Sequence, residues 1–188
     1  MLAPDRWVLS GDEAATWDAP SVPGLSIEPM TPVQWPRVRA IRLSALREAP
    51  DAFWTTLEQE RSRTAAEWRA RLDRADRTTL LAVLDETDVG IAVGAPHHDG
   101  GRDAGLYSVW VAPEVRGCGV SDVVVSAVIS WAIERGHQRL RLEVADDNHR
   151  AVRLYERYGF VPTGATSRFP PPRDHVVEHE RVLELRRP

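Results

Sequence analysis

Between Val111 and Ser121 the chain reads Val-Ala-Pro-Glu-Val-Arg-Gly-Cys-Gly-Val-Ser, a turn with two closely spaced glycines and an arginine just ahead of them. Glycine lets the backbone approach a ligand, and the free N–H groups at the start of a following helix carry partial positive charge. Such a turn suits an anion, phosphate above all. Arg116 adds a forked, permanently charged donor of the right shape. The same residues could instead make a plain strand-to-helix connection, with Arg116 used only to close the turn. Two nucleotide turns fit poorly: the dinucleotide fingerprint wants glycine where this chain has Asp122, and the P-loop needs a lysine that the sequence lacks.

A second constellation is Asn148-His-Arg-Ala-Val-Arg-Leu-Tyr-Glu-Arg-Tyr-Gly-Phe160. Asn148 can cap a helix on which Ala151, Leu154 and Tyr155 share one face, with Tyr158 near the end and Gly159 as the stop. Packing alone explains Leu154 and Phe160. Tyr155 is ambiguous between core and chemistry.

Taken together, the two segments resemble the GNAT acetyltransferases in order and spacing. The family's acyl-CoA turn, Q/R-x-x-G-x-G/A, is matched by Arg116, Gly119 and, imperfectly, Ser121; its later motif is matched by Asn148, Ala151, Leu154, Tyr155, Gly159 and Phe160. The resemblance is specific from about Tyr107 to Thr163 and architectural before that. It implies acetyl-CoA as co-substrate, with no metal, and a backbone strand at Val109, Trp110 and Val111 along the pantetheine arm. It further implies a pyrophosphate turn of Val115, Arg116, Gly117, Cys118, Gly119, Val120 and Ser121, with Asn148 and Tyr155 completing the site. Serine at 121 stays small, and its hydroxyl could itself donate to phosphate.

The implied reaction is N-acetylation of a primary amine by direct attack in a ternary complex. A tyrosine of ordinary pKa about 10 is protonated at neutral pH, so Tyr155 is expected to be the general acid for the departing thiolate. Leu106 to Val111 contains no Asp, Glu or His, so the base lies elsewhere: Glu143, Asp103, His97, His98 or a water chain. Phe53, Trp54, Glu58 and Glu60, with Trp35 and Trp68 nearby, would form an acidic and aromatic lid suited to a cationic acceptor. A different class of function, an acyl-CoA-binding sensor or interaction module without catalysis, stays open on the same fold. An acyl intermediate on Cys118 is disfavoured.

The elements that must position these residues follow from periodicity and punctuation. Leu25 to Met30 alternates like a strand, and Thr31-Pro32 opens a helix that runs to about Glu48 and stops at Pro50. Asp51 to Arg63 reads as loop or short helix. Thr64-Ala-Ala-Glu67 has capping-box form and opens another helix through Trp68 and Leu72. Thr78 to Asp85 and Val89 to Pro96 read as a hairpin around Glu86-Thr-Asp88, then come a strand to Val111, a helix from Val120 to Arg135, a strand over Leu140 to Val144, the helix after Asn148, and two strands at Phe160 to Thr163 and Val176 to Leu185. Strands segregated in the middle and crossover helices later predict an α/β fold, a mixed, mostly antiparallel sheet of six to seven strands with about four helices, which is the GNAT architecture.

Composition bounds the rest. The 188 residues suit one domain, expected over 25–188, after an N-terminal arm at 1–24. The net charge is -4, so no global basic footprint points to nucleic acid or anionic lipid. All 24 basic residues are arginine; an acyl-CoA enzyme of this composition has no side-chain amine on which to acylate itself. A single cysteine fits a reducing cytoplasm, and no run reaches the roughly 18 apolar residues of a membrane span. The partners expected are acetyl-CoA and an amine, with a homodimer left open.

Overall fold

A computed structural model describes residues 21–98 and 101–185, so most of the expected arm at 1–24 lies outside the described residues. One seven-stranded sheet has the order β1-β2-β3-β4-β5-β7-β6. Its strands are β1 (Leu25–Pro29), β2 (Thr78–Leu84), β3 (Thr87–Pro96), β4 (Asp103–Val111), β5 (Arg139–Ala145), β6 (Val161–Arg168) and β7 (Val177–Glu184). Every pairing is antiparallel except β4 with β5.

Five α-helices are present among the described residues: α1 (Trp35–Glu48), α2 (Leu57–Ser62), α3 (Ala65–Leu72), α4 (Val120–Glu134) and α5 (His149–Arg157). The fifth is α2, inside the stretch that reads as loop or short helix; Thr56 accepts from the Gln59 amide and Gln59 answers it, a local cap that stands in for an apolar face. The helix expected from Thr31 begins as a 3-10 turn, Pro32–Gln34, and becomes α-helical at Trp35, with Pro36 in the first turn where no N–H is required. The β2–β3 turn sits at Asp85 and Glu86, one residue earlier than the composition suggests. Both have positive φ (46° and 65°), the conformation that a two-residue hairpin demands.

Alternation along the strands feeds two cores on opposite faces. Leu80, Ala82, Ala92, Leu106, Leu140 and Leu142 meet Val124, Val128 and Ile129 of α4. Leu81, Ile91 and Trp110 meet Val38, Ile41 and Leu46 of α1, together with Phe53 and Trp68. Truncating a wholly buried residue such as Ile129 to Ala would cost about 2–5 kcal/mol. Among the described residues no helix is long and apolar enough to cross a membrane.

The feature that creates the site is a parting of two strands. β4 and β5 pair only over Asp103–Gly105 and Arg139–Arg141. Beyond that, Val93 pairs with Tyr107 and Ile91 with Trp110, so Ser108 and Val109 together face Ala92, with Ser108 at φ 58°. An extra residue bends the strand that carries it. β4 therefore swings away from β5.

Candidate active site

A cleft of about 990 Å³ opens where β4 and β5 part. Past Gly105 the β5-facing edge of β4 has no ladder partner among the described residues, so backbone groups of alternate residues face the cleft. Of the residues expected to bind the cofactor, Val109, Trp110, Val111, Arg116, Gly117, Gly119, Ser121, Asn148 and Tyr155 line it. Val115, Cys118 and Val120 do not. Val120, the first residue of α4, turns into the core at 1% exposure, Val115 packs against that core, and the Cys118 thiol is exposed to solvent.

The turn itself needs both glycines. Gly117 (φ 83°) and Gly119 (φ 87°) are left-handed, and Gly119 is the N-cap of α4. Cys118 N–H closes back on the Val115 carbonyl at 3.4 Å, while the amides of Gly117, Gly119, Val120 and Ser121 donate to nothing among the described residues. Free N–H groups gathered in a turn that leads into a helix suit an anion. The Asp122 carboxylate, in the first turn, is engaged by Arg157 at 2.6 Å.

Arg116 reaches the cleft but is bonded elsewhere. Its Nε donates to the Val111 carbonyl at 2.9 Å, and its two terminal nitrogens grip Glu48 at 3.0 and 2.6 Å. Trp110 Nε1 donates to the same carboxylate at 2.9 Å. Hydrogen bonds from Arg116, then from Trp110, outweigh burial and hold the Glu48 carboxyl below its ordinary value. Arg116 thus takes the turn-closing geometry, tying the phosphate turn to the end of α1.

Asn148 caps α5 by accepting from the Ala151 amide at 3.2 Å. One turn later Tyr155 is 7% exposed, its ring edge-on to Phe160 at 5.7 Å. Its hydroxyl bonds to nothing among the described residues. Burial raises its pKa far above 10, so the phenol stays neutral and keeps its proton.

The expected lid divides. Phe53 and Trp54 line the cleft. Glu60 is wholly buried and held by Arg63 and Arg71, each at 3.0 Å, which makes it a structural hub; Trp68 lies in the core against α1, and Trp35 packs beside Arg69. Glu58 does not line the cleft. Of the base candidates, Asp103 is removed by its partners: burial pushes its carboxyl up, but hydrogen bonds from Arg139 and Arg141 at 2.9 and 2.7 Å outweigh this and leave it an ionised brace. The buried His97 ring places Nε2 3.9 Å from Glu143 and 3.7 Å from Glu180. His97, His98 and Glu143 bring donor atoms within 4.8 Å of one another and could hold a metal ion. Glu143 itself lines the cleft.

One acid there escapes sequence reasoning. Glu178, on β7, is 6% exposed, lines the cleft and accepts from Trp54 Nε1 at 2.7 Å. Burial pushes its carboxyl up, helped by the nearby Glu143 charge, while Trp54 restrains the shift. Nothing local marks it, because Glu178 stands in an alternating strand like any solvated acid. Register against Ala145 and contact with Trp54 bring it in.

The model of the Acetyltransferase (GNAT) family matches residues 43–160. A mycothiol acetyltransferase from Brachybacterium faecium is 29% identical over 153 residues, 73% of this chain and 46% of the relative. A thialysine N-epsilon-acetyltransferase from Bos taurus is 39% identical over 59 residues, 31% of this chain and 35% of the relative. The chain therefore spans less than half the length of both. A GCN5-related N-acetyltransferase structure from Kribbella flavida superposes with a TM-score of 0.70 at 23% identity, covering 88% of this chain and all of that one. The spermidine N-acetyltransferase of Vibrio cholerae, solved with CoA and spermine, gives 0.70 at 15% identity over 86% of this chain and 96% of that one. At those identities the likeness establishes the fold.

Proposed function

The chain belongs to the GNAT acetyltransferase family, and from that premise we propose that it transfers an acetyl group from acetyl-CoA to a primary amine within one ternary complex. The observation that carries this reading is Tyr155, a buried and neutral tyrosine whose hydroxyl has no hydrogen-bond partner among the described residues, in the same cleft as Gly117, Gly119 and Ser121, whose amides donate to nothing among those residues. The turn takes the pyrophosphate through its backbone, and the unpaired edge of β4 runs beside the pantetheine arm. Arg116 contributes by holding the turn's shape through Glu48.

The neutral amine attacks the thioester carbonyl, which a β4 N–H polarises; a C–N bond forms and the C–S bond breaks. Tyr155 gives its proton to the sulfur. The proton shed by the amine passes to Glu178, whose raised pKa makes it a better base than a solvated glutamate, with Glu143 beside it. Holding both reactants in one cleft supplies much of the acceleration. Thermal-shift titration with acetyl-CoA, then thiol release over a panel of amines, tests the assignment. The proposal expects stabilisation and amine-dependent release. Stabilisation with no release for any amine would leave a non-catalytic acyl-CoA-binding module, and no stabilisation would remove both.

A further inference from the structure

A second cavity, of about 320 Å³, adjoins the cleft and shares Arg42, Tyr107 and Ser108 with it. Among the described residues its wall carries Arg42, Arg71, Arg77 and His98 and no carboxylate. Arg42 is 8% exposed, and burial draws its pKa down to about 10. The guanidinium lies 4.2 Å from the Phe53 ring centroid and donates to the hydroxyls of Thr55 at 2.9 Å and Ser108 at 3.4 Å. It makes no ion pair among the described residues. The acid acting on it through space is Glu60, which Arg63 and Arg71 already grip. Three guanidiniums thus surround one carboxylate, whereas a buried charge is ordinarily paired.

Two buried donors add a second, independent observation. Trp68 Nε1 and Arg77 Nε belong to residues lining this cavity, and neither has a hydrogen-bond acceptor among the described residues. Asp76 lies 4.0 Å from Arg77, but it is taken by Arg74 at 3.0 and 2.5 Å. Buried N–H groups are nearly always satisfied. A water molecule could satisfy such a donor without balancing the charge; an oxyanion does both.

We propose that this cavity is an anion subsite for the acceptor, holding a carboxylate or phosphate while the amine lies in the adjoining cleft against Glu143 and Glu178. The acceptor class is then an amine that also bears an acidic group, and a plain polyamine is disfavoured because the guanidiniums repel it. This rests on the transfer reading above. The test measures thiol release for acceptor pairs with and without the anion, each rate referred to the neutral-amine fraction at the assay pH: free amino acids against their carboxamides, and O-phosphoethanolamine against ethanolamine. For wild type, the anionic member of at least one pair should have a kcat/KM tenfold or more higher, carried mainly by KM; the preferred pair tells carboxylate from phosphate. In Arg77→Gln the preference should fall toward one. Equal use of both members by wild type, or a preference unchanged in Arg77→Gln, overturns the subsite and leaves the transfer reading intact. If no amine releases CoA, transfer fails instead, and calorimetry with inorganic phosphate at constant ionic strength judges the subsite alone: binding by wild type that is lost in Arg77→Gln supports it, and no binding overturns it.

Discussion

The guanidinium of Arg116 holds both carboxylate oxygens of Glu48, at 3.0 and 2.6 Å, and so fastens the turn before α4 to the last residue of α1. Both side chains are about a third exposed, so screening limits the pair to about 0.5–1 kcal/mol. Arg116→Ala should therefore lower melting temperature modestly and weaken CoA and a phosphate-free pantetheine fragment alike. A loss confined to CoA would show instead that Arg116 contacts pyrophosphate.

The same pair predicts an acid response. Glu48 has a depressed pKa in the fold, so between that value and its unfolded value near 4.5 the folded state binds fewer protons. Its stabilisation is present above about pH 4.5 and is lost as pH falls through the folded pKa. Denaturant melts at pH 6 and pH 3 should show the wild-type advantage over Arg116→Ala shrinking at the lower pH.

What the sequence made legible was local. The Thr64–Glu67 box has both of its hydrogen bonds, Asn148 caps α5, and the glycines of the turn are left-handed as a close-approach turn requires. What stayed hidden was tertiary. Glu48 meets Arg116 across 68 positions and Trp54 meets Glu178 across 124, and no spacing rule reaches that far. Arg42 looks like any polar residue of an amphipathic helix until α1 docks and buries it. Glu60 failed as a lid residue for the same reason, because its burial depends on arginines from α3 and the preceding loop.

Gly117 separates backbone strain from ligand contact. A Cβ there would meet nothing within 4 Å, so Gly117→Ala should cost only the positive-φ strain, about 1–2 kcal/mol. If CoA occupies the turn, that same methyl meets the ligand, and affinity should drop tenfold or more by calorimetry. Unchanged affinity in the folded variant would place the pyrophosphate elsewhere.

Tyr155→Phe keeps the ring against Phe160 and removes the hydroxyl that we propose as the proton donor. Turnover should fall about a hundredfold where chemistry limits the rate, with CoA affinity retained. Because burial raises the phenol's pKa, the wild-type rate should show no alkaline loss from this group up to about pH 10. Full turnover in the variant would assign the acid role to another group.

Glu178 should act ionised, so the rate should rise with pH through its raised pKa, above the ordinary 4.5. The Trp54 hydrogen bond lowers that pKa, and Trp54→Phe should move the acidic limb to higher pH. Glu178→Gln should lose turnover by about a hundredfold. An acidic limb indifferent to both changes would point to Glu143 or a water chain as the base.

Direct transfer in the β4–β5 cleft is tested most directly by a single turnover: protein preloaded with acetyl-CoA is mixed with a productive amine, quenched, and resolved by mass spectrometry. The account predicts acetylated amine and free CoA appearing together in equal amounts, with the protein mass unchanged throughout. CoA released ahead of acetylated amine, with an acetyl group on the protein at Cys118 or any other residue, would contradict it.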